Sequence, residues 1–484
     1  MTTIKLDPGA ALLLDALHGA GHAAYAVGGC VRDSLLGLDP HDWDLCTSAR
    51  PEQVMALFGE EKCIPTGLQH GTVTVKQGGR LYETTTFRTE GTYSDGRHPD
   101  AVCFVPDVRE DLARRDFTIN AMAYSAEEGL IDPFGGRDDL AAHLVRAVGE
   151  PERRFEEDAL RILRLYRFAA RFGFAIDPAT GAAARALGPH LDCVSAERIQ
   201  EELLKLLAAP RPGSYLEPAV LAVILPELEP EKQPEQFAEL CRTIDRIEPT
   251  AENVPARLAA LLCPLGEAGA RKALRKLKCS NALTDEVTAL EREAGGGAGS
   301  FLLPRSRDRW AGSSSEDRPL GWDPAAAGSR AGDGMACNSN DRRQWRMQEV
   351  AVGAAAIDTQ AMRSGCWEPQ PELVSDQTLM AKRLLGRYEL PTIQRLTALC
   401  SARHPEQIGA FAALRAEAER LTAENACCRV SQLAVNGRDL MAAGVRPGPG
   451  LRQVLNALLE AVITGQTPNE KDALLAAAAQ FSAS

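Results

Sequence analysis

The stretch Tyr25-Ala-Val-Gly-Gly-Cys-Val-Arg-Asp-Ser-Leu-Leu-Gly-Leu-Asp-Pro-His-Asp-Trp-Asp-Leu45 decides the fold. An apolar run ends at Gly28-Gly29, and a helix is predicted from Val31 to Leu36. Backbone N–H groups at the start of a helix bind anions, and glycine lets a phosphate approach the backbone closely. Arg32 lies one turn into this helix, where it would reach the same phosphates. Most such glycine pairs are plain turns, so the pattern needs support from its neighbours.

Two aspartates follow this helix. Asp42 and Asp44 are separated by one residue, so in a strand their side chains leave on the same face, while Trp43 and Leu45 pack on the other. Two carboxylates so close repel each other unless a cation neutralises them, and Mg²⁺ prefers such oxygen ligands. An isolated Asp-x-Asp is more often a solvated pair at a strand end. Because these two follow a candidate phosphate site, we expect them to be catalytic metal ligands.

Two further segments add candidates. Glu83 lies on a strand predicted from Leu81 to Phe87 and would serve as a third catalytic carboxylate, although a plain polar strand position is an equally good interpretation. Arg114 and Arg115 precede a buried-looking helix and suit a triphosphate or ribose contact. In the alternative interpretation, the neighbouring Asp116 simply caps that helix.

A single helix is predicted over Arg153 to Phe168. Asp158, Arg161, Arg164 and Arg167 recur every three residues along it and therefore form one ridge. A carboxylate only accepts hydrogen bonds and a guanidinium group only donates them, so such a ridge can read the polar edge of a ligand. An exposed helix with internal ion pairs is the usual interpretation of charges at this spacing.

Length and composition limit the number of domains and the class of protein. The chain has 484 residues, 45% of them apolar, and a net charge of −12. Single cores stop growing at about 250 to 300 residues, so two or more domains are expected. The apolar runs are shorter than the roughly 20 residues of a membrane span, which predicts no association with a membrane. Thirteen thinly spread cysteines favour reduced thiols, and the first residues lack an export signal, so a cytoplasmic protein is expected.

The character of the sequence changes three times along the chain. Short strands and turns dominate the first 150 residues, whereas helical spacing dominates from about residue 150 to 290. Between Gly295 and Trp367 the apolar period is lost, which predicts a flexible insertion or, equally, an out-of-frame segment. Helical periodicity returns from Leu379 onward.

A local group of basic residues stands out in this acidic chain. Its net charge argues against a surface that binds nucleic acid everywhere, but not against one basic face. An RNA contact and a solvated helix face are equally good interpretations of this group. Its members are Arg271, Lys272, Arg275, Lys276 and Lys278.

Five motifs follow one another over about 200 residues. They are Gly28-Gly-x-Val-Arg-Asp33, Asp42-x-Asp44, Arg114-Arg-Asp-Phe-Thr-Ile-Asn-Ala121, Asp132-Pro-Phe-Gly-Gly-Arg-Asp-Asp-Leu140 and Glu157-Asp-x-Leu-Arg-Ile-Leu-Arg164. In this order they resemble the motifs of the class II tRNA nucleotidyltransferases, which include the bacterial CCA-adding enzymes and poly(A) polymerases.

The resemblance implies an α+β fold. A nucleotidyltransferase head with a small mixed sheet would be followed by an all-α neck, body and tail. The implied boundaries are 1–147 for the head, 148–210 for the neck, 211–294 for the body and 376–484 for the tail. Residues 295–375 depart from the family pattern and are expected to be a disordered insertion.

The resemblance also implies roles for individual residues. Asp42 and Asp44 would hold Mg²⁺, with Glu83 as an additional catalytic carboxylate. Asp95-Gly-Arg-His-Pro99 resembles a flexible loop that the family links to the change from C to A addition. The implied nucleotide-binding residues are Gly28, Gly29, Arg32, Arg115, Asn120, Asp158, Arg161, Arg164 and Arg167.

The implied reaction is attack of a tRNA 3′-hydroxyl group on the α-phosphorus of CTP or ATP, with two metal ions and release of pyrophosphate. Asp158 would accept from the amino group of C or A and Arg161 would donate to the adjacent ring nitrogen, which excludes UTP and GTP. A poly(A) polymerase and a partial CC- or A-adding enzyme are alternatives with the same head. A non-catalytic RNA-binding protein is the alternative outside enzymes.

Overall fold

A computed structural model describes residues 3–91, 102–295 and 375–481. All of these belong to one compact unit. The predicted insertion over 295–375 lies outside the described residues except for its first and last positions, and so does the predicted loop Asp95–Pro99. No helix of the described residues is long and apolar enough to cross a membrane.

A mixed sheet organises the first third of the chain. Its order in the described residues is β3-β4-β5-β2-β1-β8-β9, and two smaller ladders pair β6 with β7 and β10 with β11. The strands are β1 (Ala24–Val27), β2 (Leu45–Thr47), β3 (Cys63–Gly67), β4 (Thr72–Gln77), β5 (Arg80–Thr86), β6 (Arg88–Glu90), β7 (Val102–Phe104), β8 (Ala123–Ser125), β9 (Gly129–Ile131), β10 (Leu144–Val145) and β11 (Ala175–Ile176).

The centre of the sheet is covered on both faces. Strand β1 pairs antiparallel with β2 and β8, and β2 pairs parallel with β5. Because successive side chains of a strand point to opposite faces, Ala24 and Ala26 join the main core while Tyr25 and Val27 join a second, smaller one. The predicted small mixed sheet is confirmed, and this buried centre fixes the start of the glycine turn that follows β1.

Helices make up most of the rest. They are α1 (Pro8–Gly19), α2 (Gly29–Leu35), α3 (Pro51–Phe58), α4 (Val108–Ala113), α5 (Gly136–Ala141), α6 (Pro151–Glu157), α7 (Leu160–Phe172), α8 (Pro178–Leu187), α9 (Ala196–Leu207), α10 (Pro218–Ile224), α11 (Pro234–Arg246), α12 (Val254–Leu262), α13 (Gly266–Lys276), α14 (Asn281–Ala294), α15 (Asp376–Arg387), α16 (Leu390–Arg403), α17 (Ile408–Ala423), α18 (Gly437–Ala442), α19 (Pro449–Ile463) and α20 (Lys471–Phe481). The predicted all-α part of the fold is confirmed.

An arginine inside the helical part ties two helix ends together. Arg257 on α12 is fully buried. Its Nη1 donates to the carbonyl oxygens of Leu207 at 2.6 Å and Ala209 at 2.5 Å, at the end of α9. Its Nη2 donates to the carbonyl of Ile247 at 2.6 Å, just after α11. The last carbonyls of a helix have no partner within the helix, so this one side chain satisfies groups at two helix ends.

A buried carboxyl group lies where α14 packs against α16. Glu291 is only 4% exposed, and its Oε1 has no hydrogen-bond partner in the described part of the chain. Burial raises the pKa of Glu291 to about 7, and the nearby positive charge of Arg403 opposes the rise only partly. The group is therefore largely protonated below neutral pH.

This carboxyl group predicts a pH-dependent stability. Well below pH 4.5 both the folded and the unfolded chain hold the proton. As the pH rises through about 4.5 the unfolded chain releases it first, so the free energy of unfolding falls until the folded chain also releases it at about pH 7. The total loss is about 3 kcal/mol, and Glu291→Gln should not show it. Urea unfolding of both proteins between pH 4.5 and 8 measures the difference, and parallel pH profiles would contradict the assignment.

Candidate active site

The two predicted metal ligands lie directly before β2. Asp42 and Asp44 are exposed, whereas Trp43 and Leu45 between and after them are buried in the core. Hydrogen bonding of the Val27 N–H to the Asp44 carbonyl oxygen at 3.0 Å fixes this segment against β1. Strand β2 itself begins only at Leu45, but the alternation of exposed and buried side chains extends ahead of it. Both carboxylates therefore leave on the solvent side.

Glu83 adds to the negative charge at this place. It lies on β5, which pairs with β2. Burial by surrounding protein atoms raises the pKa of Asp44, although one side of the residue is open to solvent. The carboxylates of Glu83 and Asp42 raise this pKa further, whereas Arg115 lowers it. Mutual repulsion of carboxylates is the condition under which a bound cation stabilises a site.

The carboxylates of Asp42 and Asp44 fit a metal ion whose remaining ligands are not protein side chains. Among the described residues no three His, Cys, Asp or Glu side chains converge as a complete metal site. Magnesium is usually held by one or two carboxylates, with water and substrate phosphates as the remaining ligands. Asp42 and Asp44 meet that requirement, and the place of Glu83 among the ligands stays a prediction.

An arginine lies over the glycine turn. Gly28 has a φ of 78°, and a Cβ atom there would meet the Arg115 Nη1 at 2.8 Å. The Nε of Arg115 is buried without a hydrogen-bond partner in the described part of the chain, and Nη2 lies 3.5 Å from the Asp111 carboxylate. Arg115 also lowers the pKa of Asp44, so its positive charge acts at both the glycine turn and that carboxylate.

Arg32 lies deeper than the sequence suggested. Its Nε donates to Asp33 at 2.8 Å and its Nη1 to the Asn120 Oδ1 at 2.5 Å. The guanidinium group also lies 4.8 Å from the ring centre of Phe172 and 5.3 Å from that of Phe168, both on α7. Its predicted phosphate contact stays a prediction, and the structure gives Arg32 a second role in joining α2 to α7.

Asn120 and Asp116 continue this connection. The Asn120 side chain accepts from Arg32 and donates through Nδ2 to Asp116 at 3.2 Å. Asp116 then accepts from Arg164 through Nε at 2.8 Å and Nη2 at 2.6 Å. Burial alone would raise the pKa of Asp116, but Arg164 and Asn120 lower it to about 2. Asp116 is therefore an ionised link between Asn120 and α7. The alternative interpretation of Asp116 as a helix cap is wrong, because the short helix Thr118–Asn120 that follows has Phe117 as its N-cap residue and no side-chain cap.

The helix predicted over Arg153 to Phe168 is wrong as one element. It is two helices, α6 and α7, because Asp158 has extended backbone with φ −149° and ψ 102°. The Asp158 Oδ1 accepts the Leu160 N–H at 3.1 Å and Oδ2 accepts from Arg198 of α9 at 2.7 Å. These two bonds hold the carboxylate at the break, so Asp158 is not part of the helical ridge.

The three arginines of the ridge remain together on α7, and each faces a carboxylate. Arg161 Nη1 lies 2.8 Å from Glu157, and Arg164 Nη2 lies 2.6 Å from Asp116. Arg167 Nε comes within 2.6 Å of Glu202, an ion pair without the alignment of a hydrogen bond.

Residues of α9 were missed by the sequence analysis. Arg198 and Glu202 are one turn apart on this helix and contact Asp158 and Arg167. Arg198 lies 40 positions from Asp158 in sequence. Charged residues four positions apart, such as Arg198 and Glu202, have the pattern of any solvated helix. No local signal distinguishes them.

The basic group on α13 is partly free. Lys272, Arg275, Lys276 and Lys278 are exposed, whereas Arg271 pairs with Asp285 at 2.9 Å and donates to Thr288 at 2.7 Å. An RNA contact and a solvated face both remain compatible with this arrangement.

Comparison with known proteins agrees with the geometry. Residues 24–146 match the family described as the poly A polymerase head domain, residues 173–232 a probable RNA- and SrmB-binding site of polymerase A, and residues 393–478 a putative domain 2 of tRNA nucleotidyltransferase. A CCA-adding enzyme of Limosilactobacillus fermentum is 33% identical over 478 residues, which cover 97% of this chain and 96% of that one. The chain belongs to the family of CCA-adding enzymes.

Two further members of the CCA-adding enzyme family are similar to this chain. The enzyme of Leuconostoc citreum is 45% identical over 257 residues, which span 53% of this chain and 63% of that relative. The crystal structure of the Bacillus stearothermophilus CCA-adding enzyme in complex with CTP has a TM-score of 0.70 at 30% identity and covers 98% of both chains. The expected head and all-α architecture is thereby confirmed.

Proposed function

We propose that this protein adds C, C and A to the 3′ end of tRNA without a template, using CTP and ATP and releasing pyrophosphate, in the cytoplasm and with Mg²⁺ as the metal. The observation that carries this proposal is the convergence of Asp42, Asp44 and Arg115 at the glycine turn, in a chain whose full length matches CCA-adding enzymes. Head, neck, body and tail with the boundaries 1–147, 148–210, 211–294 and 376–484 are part of the same proposal.

The residues of the head hold the reacting groups. Asp42 and Asp44 would bind Mg²⁺, which supplies charge neutralisation at the phosphates and lowers the pKa of a bound hydroxyl group. Arg115 places its Nη1 beside Gly28, where a triphosphate would accept from it. Arg32, Asn120 and Asp116 hold the turn in position against α7.

Base selection is assigned to Asp158 and Arg161. A carboxylate has about four lone-pair positions, and Leu160 and Arg198 occupy two of those of Asp158, so acceptors remain for an amino group of C or A. Arg161 donates to Glu157 and to the carbonyls of Arg154 and Arg114, which leaves its Nε–H and one Nη2–H for a ring nitrogen. A carbonyl group in place of the amino group would face the carboxylate of Asp158, which disfavours UTP and GTP.

The decisive experiment uses tRNA that lacks its 3′ end. Incubation with Mg²⁺ and each nucleoside triphosphate alone and in pairs, followed by sequencing of the products, should show C, C and then A, and no further addition. A run of A residues would instead identify a poly(A) polymerase, to which the matches of residues 24–146 and 173–232 also point. Addition of only C or only A would identify a partial enzyme, and no addition would leave an RNA-binding protein.

The base-reading role predicts the effect of Asp158→Ala. The ratio of kcat/KM for CTP to that for UTP should fall by about 10- to 100-fold, mainly through a higher KM for CTP and ATP, because one well-formed hydrogen-bonded pair is lost. Glu156→Ala, two positions away on the exposed side of α6, is the matched control and should leave the ratio unchanged. An unchanged ratio in Asp158→Ala would show that this carboxylate does not select the base.

A further inference from the structure

The charges of α9 complement those of the base-reading segment. Arg198 and Glu202 are four residues apart and so lie on the same side of the helix. Arg198 meets Asp158 at the break between α6 and α7, and Glu202 meets Arg167, with Arg164 at 3.9 Å. One helix thus supplies a cation to the carboxylate and an anion to the arginines of α7.

We propose that Arg198 is a positioning residue for nucleotide selection, which acts by holding the Asp158 carboxylate in the orientation that accepts from the amino group of C or A. This inference rests on the proposed role of Asp158 as a reader of the base. In this role Arg198 acts through its bond to Asp158 and not by contact with the nucleotide.

The carboxylate of Asp158 is held from two directions. The Leu160 N–H from the start of α7 binds Oδ1, and Arg198 from α9 binds Oδ2. Both donors come from well-anchored helices, since Leu160 on α7 and Ile199, Leu203 and Leu206 on α9 are buried in the core. A carboxylate fixed in this way keeps its remaining lone pairs in one direction.

Without Arg198 the same carboxylate has a competing partner. Asp116 and Glu202 raise the pKa of Arg164 against the effect of its burial, and the charge of Asp158 adds to that rise. Arg164 binds Asp116, whereas Arg198 and the Leu160 N–H bind Asp158. Loss of Arg198 would let the side chain turn toward Arg164, and the acceptor would leave its place.

The arrangement predicts a specific kinetic pattern for Arg198→Ala. The KM for CTP and for ATP should rise about tenfold while kcat stays within about twofold. The hydrogen bond that is lost orients the Asp158 carboxylate, and its loss does not change the reacting groups. The kcat/KM for UTP should change little, so the ratio of CTP to UTP falls about tenfold. Arg198→Lys keeps a cation at this position and should recover part of the ratio.

Matched variants separate this role from a general effect on folding. Lys205→Ala removes a cation from the same helix, where Lys205 pairs with Glu201 at 2.6 Å on the exposed side, and should leave all four nucleotides unaffected. Adding Arg198→Ala to Asp158→Ala should cause no further loss, since the oriented group is already gone. If Arg198→Ala does not fold, as judged by circular dichroism, Arg198→Gln is measured in its place.

The outcomes distinguish two failures. If Asp158→Ala lowers the ratio of CTP to UTP but Arg198→Ala leaves it unchanged, or lowers kcat for all nucleotides alike, Arg198 has no positioning role and the proposed function stands. An extra tenfold loss in the double variant would likewise overturn the proposal, because Arg198 would then act apart from Asp158. If Asp158→Ala itself leaves the ratio unchanged, the base-reading assignment and the role of Arg198 fall together, whereas addition of C, C and A to tRNA is tested separately by product sequencing.

Discussion

Replacement of Asp44 by Asn is expected to lower the incorporation of both C and A about 10³-fold, while the Kd for tRNA stays within about twofold. Asn keeps the shape of the side chain but removes the charge that, with Asp42, would hold the metal. Burial, then the charges of Glu83 and Asp42, raise the pKa of Asp44 and so disfavour its charged form. Because Asn carries no charge, the fold of the variant should be at least as stable. Single-turnover extension of tRNA with CTP and ATP measures the rates.

The control is Asp39→Asn in the same loop. Asp39 is exposed and forms no ion pair with a described residue, so its replacement removes the same charge a few positions away. Normal rates are expected for that protein. Rates near wild type in the Asp44→Asn protein would place the chemistry elsewhere, and an equal loss of tRNA binding would mean that the carboxylate serves the RNA and not the reaction.

Replacement of Arg257 by Met is expected to lower the free energy of unfolding by at least about 4 kcal/mol. The side chain is fully buried and donates to carbonyls at the ends of α9 and α11. Met fills similar space but has no donor, so several buried carbonyl oxygens lose their partners at a cost of about 1 to 3 kcal/mol each. Equilibrium unfolding in urea, followed by circular dichroism, measures the loss.

Arg242→Met on α11 serves as the comparison. Arg242 is exposed and pairs with Glu239 at 2.8 Å, and exposed ion pairs contribute at most about 1 kcal/mol. A loss of less than 1 kcal/mol in the Arg257→Met protein would mean that water reaches these carbonyls and replaces the arginine.

The sequence predicted the head well because its signals are local. Alternation of Asp42, Trp43, Asp44 and Leu45 placed the carboxylates on one side even though the strand itself begins only at Leu45. The glycine turn was recognised because a positive φ at Gly28 requires glycine in a context of strand and helix. Such features depend on residues a few positions apart.

The neck was harder because its geometry depends on distant partners. No glycine or proline marks the break at Asp158; it coincides with bonds to Leu160 and to Arg198, and the second partner lies 40 positions away. A helix cap was the alternative interpretation of Asp116, yet its carboxylate binds Arg164, 48 positions farther on. Helical spacing alone cannot report contacts of this range, and it therefore predicted one helix where there are two.

Arg257, which donates hydrogen bonds to the end of α9, lies 50 positions beyond Leu207 in the chain. The ribosome therefore adds Arg257, which secures the end of α9, only after the carboxylates of the head, the arginines of α7 and both charged residues of α9. Domains generally fold as units during synthesis, starting from the N-terminal side. A nascent chain that stops before α12 thus contains every residue assigned to the choice of nucleotide, but it lacks the donor that holds the end of α9.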